Sequence, residues 1–296
     1  MPEREPSDFR PARESSASKI VILVLIAIAA AGGGWYWWQQ RAAVPPAPPP
    51  VAAAAPADVP APTPPPAATG PQNPIDALAE PDAVLPTLAA SDAQITSALN
   101  GWLGAKRVAA MLNVDGFVRR VVATVDNLPR AQTPSRLWPV QPTPEHFSVT
   151  GAAGQPQHID TANAARYDAI VGLAEAIDAE RAAALYARLY PLFQQAYEEL
   201  GYPGRYFNDR LVATIDHLLA APEPSGPIPV QLTEVRGEFT ATRPWTRYEF
   251  ADPALESLSS GQKMMVRMGV AHERRLKAVL KRFRAQVATG EIATKR

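Results

Sequence analysis

Two segments of the chain carry the same acid in the same setting. Phe117–Leu128 reads FVRRVVATVDNL and Phe207–Leu218 reads FNDRLVATIDHL, with seven of twelve positions identical at a constant offset of 90. In each, an aspartate (Asp126 or Asp216) follows a valine (Val122 or Val212) by four residues, so on a helix it lies on or beside the apolar stripe. A carboxylate in that position needs a partner, and arginine is the expected one. Two arrangements satisfy this. Either the aspartates face one another across a pseudo-symmetric acid–base site, or each forms a structural ion pair. The second is the stronger expectation, because ion pairs on helix faces are common.

Other reactive combinations fail on context. Ser260-Gly261-Gln262-Lys263 has the Ser-x-x-Lys form of penicillin-binding enzymes and β-lactamases. Those enzymes need Ser-x-Asn and Lys-Thr-Gly elements further on; only 33 residues follow Lys263 and neither element is among them. Ser16–Lys19 matches the same pattern by chance, and a serine-capped helix start at Ser259–Gln262 explains the residues better. The histidines, His146, His158, His217 and His272, have no pair at i, i+3 or i+4, so no metal site is expected. His217 beside Asp216 reads as a structural hydrogen bond, and Glu198-Glu199 as solvated helix surface. No phosphate-binding glycine loop and no nucleophile elbow occurs. No cofactor is expected.

Two features suit binding. Gly201–Arg210 packs aromatics, arginines, Asn208 and Asp209 into a turn between helices, with Arg205, Tyr206 and Arg210 foremost. Such a loop either recognises a partner or is a rigid turn tied into the next helix. The segment Lys263–Arg296 holds ten Lys/Arg and two Glu, a net of +8. Arg274, Arg275, Lys277, Lys281, Arg282 and Arg284 crowd the surface around an apolar stripe of Leu276, Val279, Leu280, Phe283 and Val287. This reads as a solvated face or as contact with an anionic lipid or an acidic envelope protein.

The elements that position these residues are mostly helices. Ile95, Ala98, Leu99 and Trp102 follow a capping-box pattern at Ser91–Gln94. Phe117, Val121 and Val125 form a stripe that Pro129 stops. Further helices are expected after Asp160, over Ala179–Leu200 with a kink at Pro191, over Tyr206–Leu219, and in the last third of the chain. Ile228, Val230 and Leu232 alternate, as do Tyr248 and Phe250, so two short strands are expected there.

The chain has 296 residues, 29 Lys plus Arg, 29 Asp plus Glu, 32 Pro and no Cys. The missing cysteine excludes disulfides, thiolate metal sites and cysteine nucleophiles. Ile20–Trp38 is a 19-residue uncharged segment closed by Trp35, Tyr36, Trp37 and Trp38, the length and aromatic belt of a membrane span. Arg4, Arg10, Arg13 and Lys19 precede it; only Arg41 follows before Lys106. The expected topology is an N-terminus in the cytoplasm and the bulk of the chain in the periplasm of a bacterial cell, which excludes nucleic acid as a partner. A signal peptide cleaved after Ala29–Ala31 is the alternative, disfavoured by the aromatic belt and by Glu3, Glu5, Asp8 and Glu14. From 42 to 74 there are 13 Pro and 11 Ala, the composition of a semi-rigid polyproline spacer.

The segments LPTLAASDAQITSAL, VATVDNLPR, LYPLFQQAYEELGYPGRYFNDRLVATIDHLL and YEFADPALESLSSGQKMMVRMG resemble a proteobacterial membrane-anchored family, domain-of-unknown-function family 3014. The resemblance covers about Leu85–Leu280. It implies one amino-terminal membrane segment, a Pro/Ala linker and a helical domain, and brings no activity and no catalytic residue.

The expected architecture is mainly α: a multi-helix domain with a small two-stranded β element, preceded by one transmembrane helix and a Pro/Ala linker. Its boundaries are a tail at 1–19, an anchor at 20–38, a linker at 39–81, the domain at 82–288 and a flexible tail at 289–296. The expected function is binding or scaffolding in the cell envelope rather than catalysis. The alternative is an envelope enzyme acting on peptidoglycan or lipid precursors through paired carboxylates.

Overall fold

The computed structural model describes residues 70–290 except 79–81, 83, 153–154 and 234–243. The expected tail, membrane segment and most of the linker lie outside these residues. Among the described residues, no helix is long and apolar enough to cross a membrane.

The helical stripes form helices and set their packing. Helix α1 spans Asp92–Leu103, α2 Ala105–Met111, α3 Phe117–Asn127, α4 Asp168–Ala176, α5 Ala179–Glu199 and α6 Phe207–Leu219. Helices α7 (Pro253–Glu256), α8 (Ser260–Arg267) and α9 (Val270–Val287) follow. Val118 and Val122 of α3, Ala187 and Leu192 of α5, Phe207 of α6 and Val287 of α9 are buried together in the main core. Helix α5 packs against α3 and α9, and α9 also lies on α6 and α4. The two echoing helices, α3 and α6, touch directly. Thr214 of α6 donates its hydroxyl to the Val125 carbonyl at 3.2 Å.

Local signals mark the boundaries. Asp178 caps α5 by accepting from the Arg181 amide at 2.7 Å, and Ser259 caps α8 by accepting from the Gln262 amide at 3.2 Å. Ser91 does not cap α1 as the sequence suggests. A 3-10 turn at Leu88–Ala90 leads straight into the helix, and the Ser91 hydroxyl donates back to the Leu88 carbonyl at 2.9 Å. Helix α5 runs for 21 residues through Pro191.

Among the described residues the sheet has four strands, not two. Strands β1 (Val149–Thr150), β2 (Gln157–Ile159), β3 (Pro229–Leu232) and β4 (Tyr248–Phe250) are antiparallel in that order. Val149 pairs with Ile159, Gln157 with Val230, and Val230 with Phe250. No sequence pattern announces the first two strands. They are too short for alternation to show, and they gain stability by pairing with β3. Val230 and Phe250 turn inward onto Val266 of α8.

Helix α8 sits close because residue 261 is glycine. A Cβ there would lie 2.6 Å from Leu218 Cδ2 and 3.0 Å from the Leu128 carbonyl oxygen. That closeness lets the Gly261 amide reach the Leu128 carbonyl at 2.9 Å and the Ser260 amide reach that of Arg130 at 2.7 Å.

The domain also extends past the expected boundaries at 82 and 288. Ile75, placed by composition in the linker, is 1% exposed in the main core, and Thr289, placed in the tail, is 0% exposed.

Candidate functional site

The turn after α5 is shaped by Gly201 (φ 110°) and Gly204 (φ 71°), which hold left-handed backbone that side chains disfavour. Tyr202 stacks on Tyr197 with ring centroids 4.6 Å apart. Beyond the turn, three of the singled-out residues hold a strap of the chain at residues 72–75. Tyr206 Oη accepts from the Ile75 amide at 2.8 Å. Asn208, fully buried, donates to the carbonyls of Asn73 (2.9 Å) and Val287 (2.8 Å) and accepts from the Tyr186 hydroxyl at 3.3 Å. The Asp209 carboxylate accepts from the Gln72 amide (3.0 Å), the Asn73 amide (2.8 Å) and Asn73 Nδ2 (3.0 Å). Thr289 closes the clasp by donating to the Pro74 carbonyl at 2.6 Å. These bonds fasten residues 72–75 of this chain to the start of α6 and to Thr289. Arg205 is exposed, with its carbonyl taking a bond from Gln194 Nε2 at 2.8 Å.

Arg210 points to the other side of α6. Its Nη2 donates to the Asp126 carbonyl at 2.7 Å and lies 3.2 Å from Asp126 Oδ1. Asp126 Oδ2 takes Arg130 Nη2 at 2.5 Å and the Tyr202 hydroxyl at 3.2 Å. The Asp126 charge holds the Arg130 guanidinium above its ordinary pKa. Asp216 pairs instead with Arg284, whose Nη2 is 3.0 Å from Oδ2. Among the described residues the two aspartates share no hydrogen-bond or ion-pair partner. Each has its oxygens held by arginine in charge-assisted hydrogen bonds, the geometry of a structural ion pair.

Most of the basic helix is neutralised within the domain. Arg274 reaches Glu223 at 2.7 Å, Arg275 grips both oxygens of Glu175 at 2.8 and 2.6 Å, and Lys277 reaches Glu223 at 2.9 Å and the Ala221 carbonyl at 2.6 Å. These bonds hold Glu223 and Glu175 below the ordinary glutamate pKa. Glu273, fully buried, is pushed up by burial despite Lys277 at 2.9 Å. Lys281 and Arg282 are exposed.

The remaining chemistry is engaged elsewhere. Ser260 Oγ is 2.5 Å from Thr133 Oγ1, and Lys263 is paired with Glu256, so the Ser-x-x-Lys residues have separate structural partners. His272 Nε2 lies 2.7 Å from Asp168 Oδ1, and His217 Nε2 lies 2.8 Å from Ser259 Oγ rather than on its neighbour Asp216. Among the described residues, no three acidic or histidine side chains are grouped to hold a metal ion. Sequence reasoning missed Gln72 and Asn73, held largely through backbone groups, Thr289, whose hydroxyl takes the Pro74 carbonyl, and Tyr202 as the third partner of Asp126.

The profile of the family described as "Protein of unknown function (DUF3014)" matches residues 117–284, from the start of α3 to within the last turn of α9. No curated protein and no solved structure matches the chain.

Proposed function

Because the chain belongs to the family of unknown function DUF3014, its membership assigns no activity, and we propose that it is a tethered binding or scaffolding domain of the bacterial cell envelope. In this reading, residues 20–38 cross the inner membrane once with the N-terminus in the cytoplasm. The Pro/Ala segment spaces the helical domain from the membrane on the periplasmic side. There the domain meets an envelope protein or anionic lipid; nucleic acid is excluded as a partner by the topology.

The observation that carries this reading is the clasp. The segment where the spacer meets the domain is held by Tyr206, Asn208, Asp209 and Thr289. The chain therefore enters the domain at a defined point, next to the start of α6. The alternative, an enzyme with paired carboxylates, needs two acids free in one site, and Asp126 and Asp216 are separately held by arginines.

Reporter fusions to the C-terminus of the full chain test the reading. Alkaline phosphatase, active only outside the cytoplasm, is expected to be active and membrane-bound, and to become inactive when residues 20–38 are removed. An active fused cytoplasmic reporter with a silent phosphatase overturns it.

A further inference from the structure

The apolar stripes of five helices converge without filling the space between them. Ala98 and Trp102 of α1, Phe117 of α3, Leu173 of α4, Leu185 of α5 and Phe283 of α9 line a half-open cavity of about 400 Å³. Its volume falls within the ~300–1,000 Å³ of small-molecule sites. The lining is almost wholly hydrocarbon and aromatic. Tyr186 is present, but its hydroxyl is turned away to Asn208 at 3.3 Å. A cavity with so few polar partners gives water little to bind and favours an apolar occupant.

One charged residue lines it, Arg282. Arg282 also lines an adjoining polar cleft with Glu175, Asp178 and Glu180. Those acids make no hydrogen bond to it, although its charge reaches Glu175. Glu175 is gripped by Arg275 at 2.8 and 2.6 Å, Asp178 caps α5 at 2.7 Å, and Glu180 is exposed. Among the described residues Arg282 makes no ion pair or hydrogen bond, whereas Arg274, Arg275, Lys277 and Arg284 on the same helix are all paired.

We propose that this cavity binds the hydrocarbon chain of a long-chain fatty acid, with its carboxylate on the Arg282 guanidinium. A hydrocarbon cavity with one cation at its rim whose donors take no hydrogen bond complements an amphiphile with one anionic head. A methylene group fills roughly the ~30 Å³ that a water molecule takes in the liquid, so the cavity holds one chain of on the order of ten to fifteen carbons and leaves no room for the second chain of a diacyl lipid. The inference rests only on the helical domain and stands whether or not residues 20–38 cross a membrane.

The test uses the full chain in growing cells fed a photoactivatable, clickable palmitic acid analogue. After irradiation, label is expected on tryptic peptides that carry cavity residues, such as 182–188, and excess unlabelled palmitate is expected to remove it. Ala182→Trp on α5 and Ala98→Trp on α1 fill the cavity and each lower labelling about tenfold at unchanged protein level. Arg282→Ala lowers labelling by the acid about fivefold and leaves labelling by the matching photoactivatable alcohol unchanged. Absence of label, label mapping outside the cavity, or label that resists the palmitate competitor overturns the proposal. The competitor arm involves no substitution, so the result does not depend on the variants folding.

Discussion

Asp126 and Asp216 share a sequence setting and differ in burial, and burial decides what each is worth. Asp126 has a 4% exposed side chain serving Arg130 and Arg210, while the Asp216 side chain is 47% exposed and serves Arg284. An acid removed from water must keep its partners, since each unmatched group pays for desolvation. Asp126→Asn is expected to lower unfolding free energy by about 2 kcal/mol, less than a fully buried pair would lose because both arginines are partly solvated. Asp216→Asn is expected to cost about 1 kcal/mol or less, and less still in high salt. Urea unfolding of both variants measures the contrast; equal losses refute it. The need of Asp126 for a cation was legible from its place beside the apolar stripe. Arg130 is four residues away and within reach of the same reasoning, but Arg210 arrives through tertiary packing of α3 on α6, and no local pattern announces it.

At the level of elements, the small sheet is fastened to the helices by one acid. Glu256 of α7 accepts from the Phe250 amide of β4 at 2.8 Å and pairs with Lys263 of α8. Burial pushes its carboxyl up, but the bonds from Lys263 and Phe250 outweigh burial and leave it below the ordinary glutamate pKa. A depressed acid stabilises the fold when ionised. That contribution is complete above the ordinary value of about 4.3 and disappears as pH falls through the lower folded value. Glu256→Gln is therefore expected to reduce stability by about 1 kcal/mol or less at neutral pH, discounted for its partial exposure, with the gap to the parent closing below about pH 4. Thermal midpoints measured across pH 3 to 7 check this; a gap that widens toward acid refutes it. The helices were readable because their 3.6-residue period is local. Strands β1 and β2 were not, because two or three residues cannot display a period and their strength lies in β3, some seventy positions on.

For the whole molecule, the governing feature is the strap at residues 72–75 across the start of α6 and the end of α9. Composition hid it: Pro71 and Pro74 read as the last of the linker, yet Ile75 beside them enters the core. The fatty-acid cavity was equally invisible, since it is a gap between stripes that are each complete on their own helix. Asp209→Asn removes the charge that gathers two strap amides and one side-chain amide. It is expected to speed hydrogen exchange at Gln72, Asn73 and Ile75 by about tenfold or more, since a bond to a charged group contributes about 1.5–3 kcal/mol, while exchange in α3 and α5 stays slow. Exchange mass spectrometry on the full chain reads this; uniform loosening of all helices refutes a local clasp.

The clasp also has a mechanical meaning. Asn73 and Pro74 are held both by the first turn of α6 and by the chain just past α9, so the beginning and the end of the folded sequence leave from the same spot. A pull arriving at residue 72 bears first on the bonds made by Asp209, Tyr206 and Thr289. Joining residue 290 to residue 72 by a short loop and opening the chain elsewhere would leave the same structure with its ends moved away from the clasp.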